Sequence, residues 1–297
     1  MGKVLDAFPA FKASDAQDGT LQKIVGRVVL AGQKPFYAPV SGKSCVYFKT
    51  TVKEERLEVS HHRDRNGVMR RNVRNVWYTI AVASQFSNFY LQDGNSKVFV
   101  PGDRGSCRIQ SKKGTGRSGI WSGPPPPGVQ ALIQASFASR GQAFWGFGAL
   151  DGMRTGRYQY HEESFDINEI VAALGVPVAA QDPFTNEPVK IIQPFGQGTL
   201  TEEWMEANGW TLLQRKSWES LLKDGGAVLL SDNESQTAGV PIEIIHALPA
   251  FMTQVATTTE QFDGMYTNSV QGVTAVAQQP PGAGAGGGPR VAPAPSA

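Results

Sequence analysis

Residues 165–175, Phe165-Asp166-Ile167-Asn168-Glu169-Ile170-Val171-Ala172-Ala173-Leu174-Gly175, read in two ways, and the fold turns on the choice between them. As a helix, Asp166 and Glu169 make a capping box, Ile167, Ile170, Val171 and Leu174 share one face, and Gly175 takes the position after the last turn. As a strand, Asn168-Glu169 is a turn and Ile170 to Gly175 is an apolar run of the length that a buried strand needs. Period alone does not separate short apolar runs, so the surroundings decide.

Those surroundings are β. Lys23 to Leu30 (KIVGRVVL) is β-branched, with Gly26 marking a bulge or a close backbone approach. After a loop holding Pro35, Pro39 and Ser41-Gly42, Ser44 to Glu54 alternates as a long strand that continues through Leu57 to Val59. Arg65-Asn66-Gly67 is a hairpin signal, and Val73 to Ala83 is the returning strand. Phe89 to Val100 reads strand, turn, strand around Asp93-Gly94-Asn95-Ser96. The strand reading of Ile170 to Gly175 follows, because tertiary context overrides local helix preference.

Composition agrees. Of 297 residues 40% are hydrophobic, enough for a sizeable core, while 33 glycines and 19 prolines favour turns and short strands over long helices. Residues 105–150 are expected to be an exposed insertion, glycine-rich and ending its polar part in Pro124 to Pro127, which favour an extended polyproline helix. Val129 to Leu150 is interrupted by Gln130, Gln134, Arg140 and Gln142 and reads as core or interfacial, since a bilayer span needs ~18 apolar residues.

Further along, Thr201 caps one short helix that Gly209 stops, and Ser217 is expected to cap a second ending at Gly225. Ala227 to Leu230 and Ile242 to His246 read as strands. The resulting layout is a turn-rich leader (1–20), a β domain (21–177), an α/β appendage (178–275) and a Pro/Gly/Ala tail (276–297) expected to be disordered.

Charge is uneven under a net +2. Residues 49–75 carry eight Lys/Arg against four Asp/Glu, and residues 103–117 carry five against one. The first of these stretches puts Arg63, Arg65, Arg70, Arg71 and Arg74 on the hairpin and its tip, where they can meet phosphate, an acidic partner or an anionic membrane surface.

Catalytic patterns are weak. Cys45 in an alternating strand is expected in the core, and with no secretory leader both it and Cys107 are expected as reduced thiols. His61-His62 point to opposite faces of a strand and do not share a metal ion. His161-Glu162-Glu163 lacks the second histidine of a helical zinc motif and reads as solvated. Gly114-x-Gly116-x-x-Gly119 matches a dinucleotide fingerprint in letters, but prolines follow where a helix is needed, so a flexible loop is expected. Asp93, Asp103 and Asp151 are isolated turn carboxylates. No cofactor and no metal are expected.

The order Gly26-x-Val28, Pro39-Val40-Ser41-Gly42-x-x-Cys45-Val46-Tyr47, Trp77, Phe89-x-Leu91-x-Asp93-Gly94 and Val98-x-Val100-Pro101 resembles the GIDE domain, also called BAM ("beside a membrane"), of RING-type ubiquitin ligases on mitochondrial and chloroplast envelopes. The likeness continues through Arg157-Tyr158 and Glu162 to Leu174-Gly175. It departs from the family at Ser96, where a second glycine is usual, and in the 105–150 insertion. The membrane helices of the family have no counterpart, and two Cys with four His cannot build a RING.

The resemblance implies a module that contacts substrates or regulators without catalysis of its own. The strand order is that of an OB-like small β-barrel, giving a mainly β or α+β fold. A protein partner in a ubiquitination or organelle-surface setting is expected, for an intracellular, soluble chain with peripheral membrane contact as a further option. The alternative is an OB-like protein for single-stranded nucleic acid, with Arg70, Arg71 and Arg74 on phosphates and the rings of Phe86 to Tyr90 and Phe144-Trp145-x-Phe147 under bases.

Overall fold

The computed structural model describes residues 1–238 apart from residues 64, 112, 120–121, 140–152 and 224. The expectations for Asp151, Phe144 to Phe147, Ile242 to His246 and the tail lie outside the described residues. The architecture is mainly β, with 50% strand and 19% helix.

In chain order the elements are α1 (Gly2–Leu5), β1 (Ala10–Lys12), β2 (Gln22–Leu30), β3 (Phe36–Tyr37), β4 (Ser44–Arg63), β5 (Met69–Phe86), β6 (Phe89–Asp93), β7 (Ser96–Val100), β8 (Cys107–Gln110), β9 (Lys113–Ser118), α2 (Pro127–Ser139), β10 (Met153–Asp166), β11 (Ile170–Gln181), β12 (Pro188–Gln193), α3 (Glu202–Ala207), α4 (Leu212–Lys223), β13 (Val228–Ser231) and α5 (Glu234–Thr237).

Ile170 to Gly175 is strand, and β11 is the keystone of the larger sheet. It pairs antiparallel with β2 on one side, from Ile170 opposite Arg27 to Gly175 opposite Gln22. Its C-terminal half pairs antiparallel with β12, and Ala172 to Leu174 also pair with β13. Val171, Ala172, Ala173 and Leu174 are all fully buried, which is why the segment reads as an unbroken apolar run rather than an alternation. Asn168, at φ +70°, turns the chain into it, so the local helical signals lose to pairing on both edges.

Five strands close on themselves: β2 pairs β6, β6 pairs β7, β7 pairs β12, β12 pairs β11 and β11 returns to β2. Only the β7–β12 step is parallel. Ile24, Val28, Leu91, Val98, Val100, Val171, Ala173 and Ile192 fill the interior, and each such large side chain contributes roughly 1.5–3 kcal/mol on burial. Gly26 lies between Ile24 and Val28 on the inward side of β2. A Cβ there would sit 2.8 Å from Leu91 Cβ, so the residue type is dictated by the close approach of β6.

The long hairpin does not belong to this ring. β4 and β5 form a second, five-stranded sheet with β3, β9 and β10, and the root of the hairpin reaches the ring's core through Val46, Tyr47 and Phe86, together with Phe165 of β10. Helix α2 covers this sheet through Val129, Leu132, Ile133 and Phe137, which meet Phe48, Val52, Ile80, Ala83 and Tyr160.

That helix corrects the expectation of a wholly exposed insertion. Pro127, read as polyproline, is the first helical residue, where its missing N–H is no loss. The glycine-rich stretch is likewise edge strand β9 rather than a loop, because Gly116 leaves room for the ring of Tyr160 on the neighbouring strand.

Three further corrections concern boundaries. The expected leader packs: Val4 and Leu5 are fully buried against Trp210, Trp218 and Phe195. The expected appendage begins inside β11 and supplies β12 to the ring, so residues 178–193 belong with the ring of strands. The helix assigned to a Ser217 cap starts earlier, at Leu212, because Thr211 and Gln214 cap each other reciprocally while Ser217 donates to Leu213 O at 2.8 Å. Thr201 does cap α3, accepting from Trp204 N–H, and the expected strand at Ala227 to Leu230 is present as β13.

Candidate interaction surface

Beyond Leu57, the partner of β10's first residue, β4 and β5 continue as a two-stranded arm, among the described residues, to the turn at Asn66-Gly67. Six residues of strand carry it roughly 20 Å from the sheet. Gly67, at φ +81°, supplies the left-handed turn conformation.

The register sorts the arm's side chains. Arg63 lies opposite Met69, His61 opposite Arg71, and Val59 opposite Val73, so these share one face, which continues to Trp77 opposite Glu55. The other face holds His62 opposite Arg70, Ser60 opposite Asn72 and Glu58 opposite Arg74. The five arginines expected to act together therefore divide: Arg63 and Arg71 on one face, Arg70 and Arg74 on the other, Arg65 in the turn. Arg74 donates through Nε and Nη2 to Glu58 Oε2, and Tyr78 donates to the other oxygen of the same carboxylate.

The face of Arg63 and Arg71 is also apolar. Val59, Val68, Met69, Val73 and Trp77 expose between 37% and 59% of their surface along the arm and its tip. Their alternation with charged neighbours hid them from a reading of charge alone; the period-2 apolar pattern along the strand was the available signal.

The arm's root is built around buried charges. Glu54 is completely buried and accepts from Arg56 Nε at 2.9 Å, with Arg154 Nε 3.7 Å away. Arg56 lies over the Tyr78 ring and Arg154 over the Phe137 ring. Glu55 accepts from Asn75 and Thr155 and pairs with Arg157. Burial, reinforced by the Glu54 charge, pushes the Tyr158 hydroxyl up from its ordinary range. This network joins the arm's root to β10 and, through Phe137, to α2.

The remaining motif residues are structural. Pro39 packs on Gly128 of α2, Gly42 at φ +67° closes the turn by donating to Ala38 O, and the N–H groups of Val40 and Ser41 point at Glu162. Glu162, expected to be solvated, is buried at the centre of that turn, which corrects the sequence reading. Asp93 is buried beside Lys12, and Gly94-Asn95 make a two-residue hairpin between β6 and β7.

Each thiol donates to a backbone carbonyl, Cys45 to Phe36 O and Cys107 to Pro101 O. Cys45 and Cys107 are free and buried, and burial pushes both up, Cys107 to about 12. Tyr47 meets Phe86 edge-on and Phe165 at a tilt in the core. Phe86, Phe89 and Tyr90, expected as stacking platforms, are likewise packed inside: Phe89 in the ring, Tyr90 on its outer face against Phe99.

That outer face is covered by the 182–187 loop. Asp182 accepts from Tyr90 OH at 2.6 Å, Lys97 Nζ at 3.1 Å and the N–H groups of Phe184 and Thr185, and Phe184 lies against Phe99. Burial alone would raise the Asp182 carboxyl, but these hydrogen bonds overcome it and hold the group well below the carboxylate range.

Among the described residues no group of three or more His, Cys, Asp or Glu is placed to hold a metal ion, and no helix is long and apolar enough to cross a membrane. No protein-family model, curated protein or solved structure matches this chain.

Proposed function

We propose that the chain is a non-catalytic, GIDE-like interaction module: an OB-like barrel that presents the arm of β4 and β5 to an anionic partner in a ubiquitination or organelle-surface setting. Closure of β2, β6, β7, β12 and β11 in that order, with one parallel step, supports the OB-like reading. The clamp of Glu162 on the Val40-Ser41 turn supports the GIDE-like reading, because it gives one physical purpose to two separated parts of the motif.

The observation that carries the functional reading is the arm itself. An apolar, arginine-bearing ribbon projecting from a buried charge network has no role in the core it leaves, and exposed apolar surface rimmed by polar residues marks contact sites. The nucleic-acid alternative is weaker, since Phe89 and Tyr90 are buried and the arginines divide between two faces.

The test compares the intact chain with one in which residues 59–73 are replaced by Asn-Gly. Proximity labelling in cells is expected to lose its specific partners with the arm. Identical partner sets, or ubiquitin chains formed by the purified protein with activating and conjugating enzymes, overturn the proposal.

A further inference from the structure

We infer that the tip of the arm inserts into an anionic lipid surface, with Val68 and Met69 reaching the acyl boundary and the arginines engaging headgroup phosphates. The inference rests on the arm being the contact surface and goes further by naming the occupant.

Two observations select lipid. First, cations lie on both sides of the arm: Arg63 and Arg71 on one face, Arg70 on the other and Arg65 in the turn, with Arg74 at the base paired to Glu58. A flat acidic protein face meets one side of a ribbon. A headgroup layer surrounds whatever enters it and matches charge on every side.

Second, two residues that follow the turn are apolar and exposed. Val68 and Met69 are more than half exposed at the tip, Val59 and Val73 follow on one face, and Trp77 stands nearer the root. Exposed apolar side chains set among cations at the end of a ribbon suit the boundary between acyl chains and headgroup phosphates. Between Glu58 and Arg74 the arm holds five arginines, Arg74 included, against Glu58 and Asp64, so like charge opposes a second copy of the same arm and favours an anionic surface.

The test uses the full chain with vesicles of phosphatidylcholine alone or with about 30% phosphatidylserine at roughly 0.15 M salt. Cosedimentation is expected with the anionic vesicles and not with the neutral ones. Arg63→Gln with Arg71→Gln should lower partitioning roughly thirty-fold. Val68→Ser with Met69→Ser should lower it about tenfold or more, although every charge remains. An environment-sensitive dye on Met69→Cys, the two native thiols being buried, should shift to the blue on anionic vesicles.

Absence of vesicle binding overturns the inference, as does binding that survives Val68→Ser with Met69→Ser, a dye that does not shift, or preference for a single-stranded oligonucleotide or polyglutamate over vesicles. If lipid binding fails while arm-dependent partner labelling persists, the module reading stands and only the lipid assignment falls.

Discussion

Glu162 Oε2 accepts the backbone N–H of Val40 at 2.6 Å, joining residues 122 positions apart in the chain. Its other oxygen takes Ser41 N–H at 3.0 Å, and Thr50 Oγ1 donates at 3.2 Å. The turn between β3 and β4 is thus built around a carboxylate from β10, and α2 packs over it at Pro39.

Glu162→Ala removes the acceptor of two part-buried backbone N–H groups and of Thr50 Oγ1, and is expected to destabilise the fold by about 2 kcal/mol. Urea unfolding measures it. A loss below about 1 kcal/mol would mean that water or another group replaces the carboxylate and the clamp is not what holds the turn.

Gly26→Ala places a methyl 2.8 Å from Leu91 Cβ and 2.9 Å from Leu91 C. Backbone cannot yield as a flexible side chain does, so β6 must move off β2, at about 1–3 kcal/mol. Thermal unfolding should fall by several degrees, whereas the same substitution at Gly42, where a Cβ meets nothing, should act only through its positive φ.

How much of this was legible follows from what each segment gains locally. β2, β6, β7 and β11 could be read because β-branched residues and tight turns act within a few positions. β12 could not: Pro188 opens it, and its Val-Lys-Ile-Ile run becomes a strand only by pairing with β7 and β11. α2 carried a signal in Val129, Leu132, Ile133 and Phe137 at helical spacing, masked by the prolines before it. Glu162 looked solvated because its partners are backbone N–H groups over a hundred residues upstream. The arm was visible as charge, while the division of its arginines needed the register.

Asp182 should impose an acid limb on stability. Its folded pKa lies below the unfolded value of about 4, so the folded state binds fewer protons and the group stabilises fully above that pH. The contribution falls as pH drops from about 4 towards the lower folded value. Urea midpoints measured from neutral pH downward should decline in that window, and Asp182→Asn, though less stable at neutral pH, should decline less. Parallel curves for the two proteins would remove Asp182 as the source.

Cys45 and Cys107 should resist thiol reagents in the native state at pH 8, because both thiols are buried and pushed up in pKa. Modification should proceed only with unfolding, at one rate for both. Fast labelling of either residue in the native protein would place it near a surface that the packing does not provide.

The arm and its root should respond oppositely to substitution. Glu58 and Arg74 face each other across the ribbon, so replacing residues 59–73 with Asn-Gly joins them through a two-residue hairpin turn. The deleted residues project from the body without entering a core cluster, and the unfolding midpoint should stay within about 2 °C of the parent. Glu54→Ala instead leaves Arg56 and Arg154 buried without their carboxylate, a loss of about 3–5 kcal/mol and roughly 10 °C. Differential scanning calorimetry of the two variants decides the matter. A large drop on deleting the arm would make it part of the structural core, and a contact surface would then have to be sought elsewhere on the molecule.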